Sequence, residues 1–341
     1  MSPIASAFST RSRCFAAHLC LIYAVLCVHP ASIAAASLDL YQATVLTADQ
    51  SEEGRDAALR VALKVVLVRV TGRRGADQDP AFAPLLDNTR RYVQQYRAGT
   101  GNQLNVTFDG PAIERWLAQN AQPLWGRERP TTFVWLAVQS PPPGLVMTAD
   151  DKSALKGLIE EAAETRGIRL RWPSVAEVQN NHLDYAGVGN LSPSVLADIG
   201  HRLGGEGVLV GRASNLSSGS TVRWSHLFQD HSGEYFGVLE GVNRAADTYA
   251  GIFAASGNQV PVDVEISGIN DVRAYANLQA YLESLTFISR VNVQALNGDT
   301  VRFRLTSRGG AESLQHALAL GGRLQSVAAG DDGIPRYQLR R

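Results

Sequence analysis

Apolar and polar positions along this chain follow two periods, about two and about 3.6 residues, and the changes between them mark out its elements. Leu38 to Val45 carries the signal of a strand. Asp49, with Glu52 three residues on, has the spacing of a capping box that opens a helix. Ala58, Leu59, Ala62, Leu63, Val66, Leu67 and Val70 then recur at helical spacing, and Gly72 closes the run. Such a one-sided helix needs a sheet to pack on. Tyr92 to Tyr96 reads as structured, and Leu104, Val106 and Phe108 alternate as a strand does. Asp109 and Pro111 start a short helix bearing Ile113, Trp116 and Leu117, and Pro123-Leu124-Trp125-Gly126 ends this first region.

A second region opens on the unbroken apolar strand Phe133 to Val138, followed by a turn at Pro141-Pro142-Pro143-Gly144. Thr148 and Asp151 are expected to begin a helix with Leu155, Leu158, Ile159 and Ala162 inward and Gly167 as its stop. Ile168 to Trp172 reads as a strand, and the polar stretch 176–190 reads as loop. Ser192-Pro193 then starts a helix with Val195, Leu196, Ile199 and Leu203 inward, ending at Gly204-Gly205. Val208 to Val210 is a short buried strand, Thr221 to Leu227 and Tyr235 to Val242 read as a hairpin, and Ala245 to Ala254 as a closing helix.

In the third region Val262, Val264 and Ile266 alternate, and Val272 to Leu285 is helical with Tyr275, Leu278, Tyr281, Leu282 and Leu285 on one stripe. Val291 and Val293, then Val301, Phe303 and Leu305, flank the turn Asn297-Gly298-Asp299, a strong hairpin signal. Ala311 to Leu320 is a second helix, and Leu324 to Val327 can add a strand. The pattern predicts an α+β protein of three small modules: residues 37–127, a mixed-sheet α/β module at 130–257, and a ferredoxin-like βαββαβ module at 260–341.

Residues 1–36 carry a different signal. Arg11 and Arg13 precede an apolar run from Cys14 to Val28 that contains His18 and falls short of the about 20 residues needed to cross a bilayer core. His29-Pro30 breaks the run, and Ala34-Ala35-Ala36 supplies small residues for a signal peptidase. The expectation is a secretory signal peptide cleaved between Ala36 and Ser37, with Ala34 and Ala36 at the −3 and −1 positions and no membrane span afterwards. An uncleaved anchor or a buried core helix is the alternative. Cys14, Cys20 and Cys27, the chain's three cysteines, all lie inside this segment. Disulfides, thiolate catalysis and cysteine-held metals are therefore excluded after cleavage, and Leu19 and Leu26 sit where lipoprotein acylation wants a small residue. An exported chain without cysteine points to the bacterial periplasm.

Lys and Arg number 32 against 32 Asp and Glu, so loss of Arg11 and Arg13 leaves a net charge of about −2. With no basic block, nucleic acid is excluded as an expected partner. Arg73-Arg74, Arg90-Arg91 and Arg340-Arg341 read as isolated solvated pairs.

Candidate chemistry is sparse. Gly187-Val188-Gly189 has Ser192 where a third phosphate-loop glycine belongs, and no Gly-Lys-Ser/Thr, His-Glu-x-x-His or Gly-x-Ser-x-Gly occurs. Of His182, His201, His226, His231 and His316, only His226 and His231 lie close in sequence, and a spacing of five suits neither a helix face nor a strand face. A solvated hairpin turn is the reading preferred over a metal site. The adjacent carboxylates Asp150-Asp151, Glu160-Glu161 and Asp331-Asp332 diverge rather than pair. Trp116, Trp125, Trp135 and Trp172 read as core or boundary aromatics, with sugar stacking as a minority role. No catalytic residue, cofactor or metal site is assigned.

Leu40-Tyr41-Gln42-Ala43, Arg55-Asp56-Ala57-Ala58-Leu59, Val70-Thr71-Gly72, Tyr92-Val93-Gln94-Gln95-Tyr96, Trp125-Gly126 and Val134-Trp135-Leu136 together resemble a bacterial envelope family, the domain-of-unknown-function family numbered two thousand and sixty-six. That family carries no assigned activity. Leu196 to Leu203, Gly205-Glu206-Gly207-Val208-Leu209-Val210-Gly211 and the hairpin after them resemble periplasmic domains of the Tol system, of lipoprotein activators of peptidoglycan synthases and of a flagellar-ring accessory protein. Those relatives bind and assemble. The resemblance implies a non-catalytic periplasmic scaffold or accessory factor whose partners are cell-envelope proteins; the alternative is a periplasmic hydrolase or a small-ligand binding protein.

Overall fold

Why the first helix forms where it does is clear from its two ends. In the computed structural model, which describes residues 39–340 apart from 50, 218, 258, 321 and 329–331, Ser51 caps helix α1 (Glu52–Thr71), its hydroxyl accepting from the Gly54 amide. Asp49 stands one step back, accepting from the Ser51 amide and hydroxyl, so the expected Asp49–Glu52 box is replaced by a cap that Asp49 holds in place. Gly72, in the left-handed region at φ 70°, ends the helix as expected. All seven residues of the anticipated apolar face are buried against an antiparallel sheet of β1 (Gln42–Leu46), β3 (Gln103–Phe108) and β2 (Val93–Ala98), with β3 in the centre. Strand β1 starts later than expected because Leu40 and Tyr41 are buried in a turn ahead of it. Helices α2 (Ala83–Asp87) and α3 (Gly110–Gln119), the latter capped by Asp109, complete this layer.

The second sheet is built on β4 (Thr131–Val138), which is buried on both faces. Val134, Leu136 and Val138 meet α4 (Ala154–Arg166) and α8 (Glu240–Phe253), whereas Phe133, Trp135 and Ala137 meet α6 (Tyr185–Asn190) and α7 (Pro193–Arg202). Burial on both sides explains the unbroken apolar run. Strand β7 (Gly207–Ala213) pairs parallel to β4, and β8 (Val222–Phe228) and β9 (His231–Phe236) follow antiparallel. The short β5 (Leu145–Val146) and β6 (Arg169–Arg171) share the other edge of β4, antiparallel and parallel respectively.

Four expectations for this region are corrected. Ser153 rather than Asp151 caps α4, with Asp151 accepting from the Ser153 amide. Residues 176–190 are not loop: Ser174 and Glu177 form a full capping box for α5 (Val175–Asn180), and Asp184 caps α6. Val195 faces solvent, because the apolar stripe of α7 is Leu196, Ala197, Ile199 and Gly200. The second hairpin strand begins at His231, across the two-residue turn Gln229-Asp230, and α8 already starts at Glu240.

The third sheet has the order β11 (Ile288–Asn297), β12 (Thr300–Arg308), β10 (Gln259–Ser267), β14 (Arg336–Leu339), β13 (Leu324–Val327). Helices α9 (Val272–Ser284) and α10 (Gly310–Leu320) cover one face. The βαββαβ order holds as far as β13, but the chain then turns back and inserts β14 between β13 and β10, parallel to β10. The last strand of the ferredoxin-like pattern, β13, thereby stays at the sheet edge but is separated from β10 by β14. The molecule is thus α+β, with three separate sheets among the described residues.

The stretch Leu124 to Arg129, expected to separate two modules, is packed from every side. Leu124 and Ala255 exchange both backbone hydrogen bonds, and the Trp125 amide donates to the Val70 carbonyl. The Arg129 guanidinium, 2 % exposed, donates to the carbonyls of Gly126, Gly167, Arg69 and Trp125 at 2.6–3.0 Å and lies 3.5 Å from the Trp125 ring. Glu128 accepts from the Thr286 amide, and the Arg127 amide donates to the Thr286 hydroxyl, tying in the third region. Arg166, at the end of α4, donates to the Gly72 carbonyl and pairs with Asp247, so two helix C-termini meet around buried cations, as the helix dipole favours.

Candidate interaction edge

Strand β11 is ten residues long, against a usual strand of about five or six. It pairs only with β12, which leaves its outer row of backbone N–H and C=O groups without strand partners among the described residues. Nine of its ten residues are partly or fully exposed. The register sets Val291 opposite Leu305, Val293 opposite Phe303 and Leu296 opposite Val301. Those three β12 partners are completely buried in the layer under α9 and α10, so the β11 residues continue that apolar layer outward; Leu296 is 69 % exposed. Two register shifts, at Ile288/Arg290 and Val293/Ala295, bulge the strand and limit indiscriminate edge-to-edge pairing. Sequence reading found the hairpin but not the exposed Leu296, because the bulge breaks the alternation after Val293.

The open face of the same sheet is charged. Arg304 and Asp263, directly opposite in register, make a two-point pair at 2.7 and 2.8 Å, and Glu265 accepts from both Arg302 and Arg336. These guanidiniums hold the Asp263 and Glu265 carboxyls below their usual range.

The groups weighed for chemistry do not converge. His226 is not in a solvated turn: it points inward from β8, 1 % exposed, with Nε2 3.4 Å from the Tyr249 hydroxyl, which in turn lies 2.9 Å from Thr132 Oγ1. His231 is exposed on β9. His201 bonds the Gly205 carbonyl through Nδ1, His316 lies beside Phe253, and His182 is exposed. Asp151 is used at the start of α4 and Asp332 pairs with Arg336, while Asp331 lies outside the described residues. Glu160 pairs with Lys156 one turn back along the helix. No group of three or more His, Asp or Glu able to hold a metal occurs among the described residues. Trp125 and Trp135 are fully buried, Trp172 nearly so, and Trp116 is half-buried. Ala34, Ala36 and Ser37, the expected cleavage residues, lie outside the described residues.

Burial, with a smaller contribution from His231, lowers the pKa of His226 to about 4. The unfolded chain takes up this proton near pH 6.5 and the folded chain does not, so stability is retained above 6.5 and falls as the pH drops towards 4. The full effect is on the order of 3 kcal/mol. Urea titrations at pH 7 and pH 4.5 should show that loss in the native protein and a clearly smaller one in His226→Gln.

Residues 34–126 match a family described as Domain of unknown function (DUF8605). No curated protein matches the chain. No solved structure matches it either. No helix among the described residues is long and apolar enough to cross a membrane.

Proposed function

We propose that this protein is exported through a signal peptide cleaved before Ser37 and acts in the bacterial periplasm as a non-catalytic scaffold or accessory factor that binds cell-envelope proteins. The observation that carries the reading is the free edge of β11, with Val293 and Leu296 exposed beside a buried apolar layer. A partner segment in extended conformation adds a strand there. Its backbone satisfies the unpaired row, and alternate side chains extend the layer under α9. The buried cations around residues 124–129 hold the modules together, which suits a scaffold. The sequence resemblance of the first region to envelope family two thousand and sixty-six, a region whose matched family is a differently numbered domain of unknown function, and of the second to Tol-system and peptidoglycan-synthase activator domains, suits this compartment and class of partner.

The expected result for the double variant Val293→Asp, Leu296→Asp is unchanged folding, within about 0.5 kcal/mol, because both side chains are exposed. Retention of the protein in the envelope fraction should drop at least tenfold. Retention equal to wild type would sink the proposal.

A further inference from the structure

Six of the arginines of the first module divide sharply by their placement. Arg60 pairs with Asp87, Arg73 with Asp79, Arg74 with Glu240 and Asp247, and Arg90 with Glu52 and Asp56. Arg91, the immediate neighbour of Arg90, borders the concavity lined by Arg90, Asp56 and Asp87, but its guanidinium has no hydrogen-bond or ion-pair partner among the described residues. Arg115 gives only its Nε, to the Pro111 carbonyl at 3.2 Å, and its two terminal nitrogens have no partner among the described residues. These two unpaired cations line the same surface concavity, of about 490 Å³, between α3 and the turn before β2. Its other walls include Tyr92, Trp116, Asn88 and Gln119, and no carboxylate lines it. Trp116 rests on Phe82, 5.9 Å between ring centres, which supports the indole from behind.

We propose that this concavity binds an acidic carbohydrate, a sugar ring bearing a carboxylate. Each part of the ligand has its counterpart. Guanidinium groups take a carboxylate in two-point, charge-assisted bonds, and two of them with no competing acid leave the site short of one anion. Aromatic rings give the apolar face of a pyranose a surface to lie on. Among the described residues the Gln119 amide makes no competing side-chain bond, and only the amide nitrogen of Asn88 is engaged, donating to the Pro84 carbonyl, which leaves its carbonyl oxygen without a partner there. Both can serve ring hydroxyls. The Arg90-Arg91 pair, read from sequence as solvated surface, is therefore two residues with different work: Arg90 braces α1 and Arg91 serves the concavity. This site lies in a different sheet layer from the β11 edge and stands without it.

The test titrates the purified protein with N-acetylmuramic acid and, separately, with N-acetylglucosamine, the same ring without the lactyl carboxylate, following shifts of the Trp indole NH signals by NMR. The acidic sugar should bind at least tenfold more tightly than the neutral one, with the largest shift at Trp116. Arg91→Ala and Arg115→Ala should each weaken it at least tenfold while leaving the thermal midpoint unchanged, since both side chains are exposed. Glycan strands that bind more tightly than the free sugar identify the polymer as the source; strands that bind no better identify the free sugar. Equal response to both sugars, no response to either, or wild-type binding by both variants would overturn the proposal.

Discussion

Arg129→Ala should lower the folding stability of the protein by about 3–5 kcal/mol, a large share of what a chain of this kind possesses. Four carbonyls, on Arg69, Trp125, Gly126 and Gly167, converge on one guanidinium that is 2 % exposed. Alanine leaves them facing a cavity without a donor, and each buried unpaired carbonyl costs about 1–3 kcal/mol, offset in part by water that enters. The stacked contact with Trp125 is lost as well. Lysine does not rescue the site, because a single ammonium cannot reach four acceptors spread around a planar fork. The four carbonyls belong to the end of α1, to the connecting stretch and to the end of α4, so the variant should also uncouple the first sheet from the second. Urea unfolding followed by far-UV dichroism is expected to change from one transition to two. A loss below 1 kcal/mol with a single transition would show that these carbonyls are satisfied some other way.

Trp224→Ala should cost a comparable amount, about 3–5 kcal/mol, for a different reason. The indole is fully buried among Val222, Phe228 and Val242, and it occupies space that two glycines leave open. A Cβ on Gly211 would stand 2.5 Å from its Cζ3, and one on Gly241 2.5 Å from its Cγ. With β7 behind the ring and the first turn of α8 in front, neither wall can collapse into the vacancy without moving backbone. Its Nε1 also donates to the carbonyls of Gly237 and Val238, at 3.1 and 3.2 Å, and so fixes the passage from β9 into α8. Trp224→Phe fills most of the volume and loses only those bonds, so it should cost clearly less. The same urea titration measures both variants; equal losses would mean that the hydrogen bonds, and not the packing, dominate.

What could be read from sequence depended on whether one element's own pattern determined its environment. Helix α1 shows a single apolar stripe because it covers one sheet, and β4 shows an unbroken apolar run because helices cover both its faces. The β11–β12 hairpin was visible in Asn297-Gly298, where Gly298 takes φ 61°. Helices α5 and α6 were missed because six residues make under two turns, too few for a period to register; the Ser174–Glu177 capping box was the signal that could have found α5. Strand β9 was placed too late because its outward residues are mostly polar, and β14 was missed because a strand inserted between two others is defined by its neighbours. His226 carries no local mark of burial, since what buries it is Tyr249 on a helix 23 positions away. The role of Arg129 was hidden for a similar reason: its partners are backbone carbonyls, which every residue has.

The proposal that β11 receives an extended segment of an envelope protein is tested most directly by photo-crosslinking in living cells. A photoreactive side chain is placed at Leu296, and a control is placed at Val272, which is 83 % exposed at the start of α9. The account predicts a discrete crosslinked protein from position 296, absent from position 272, with the crosslink mapping to an extended stretch of the partner. Equal labelling from the two positions, or none from 296, would contradict it.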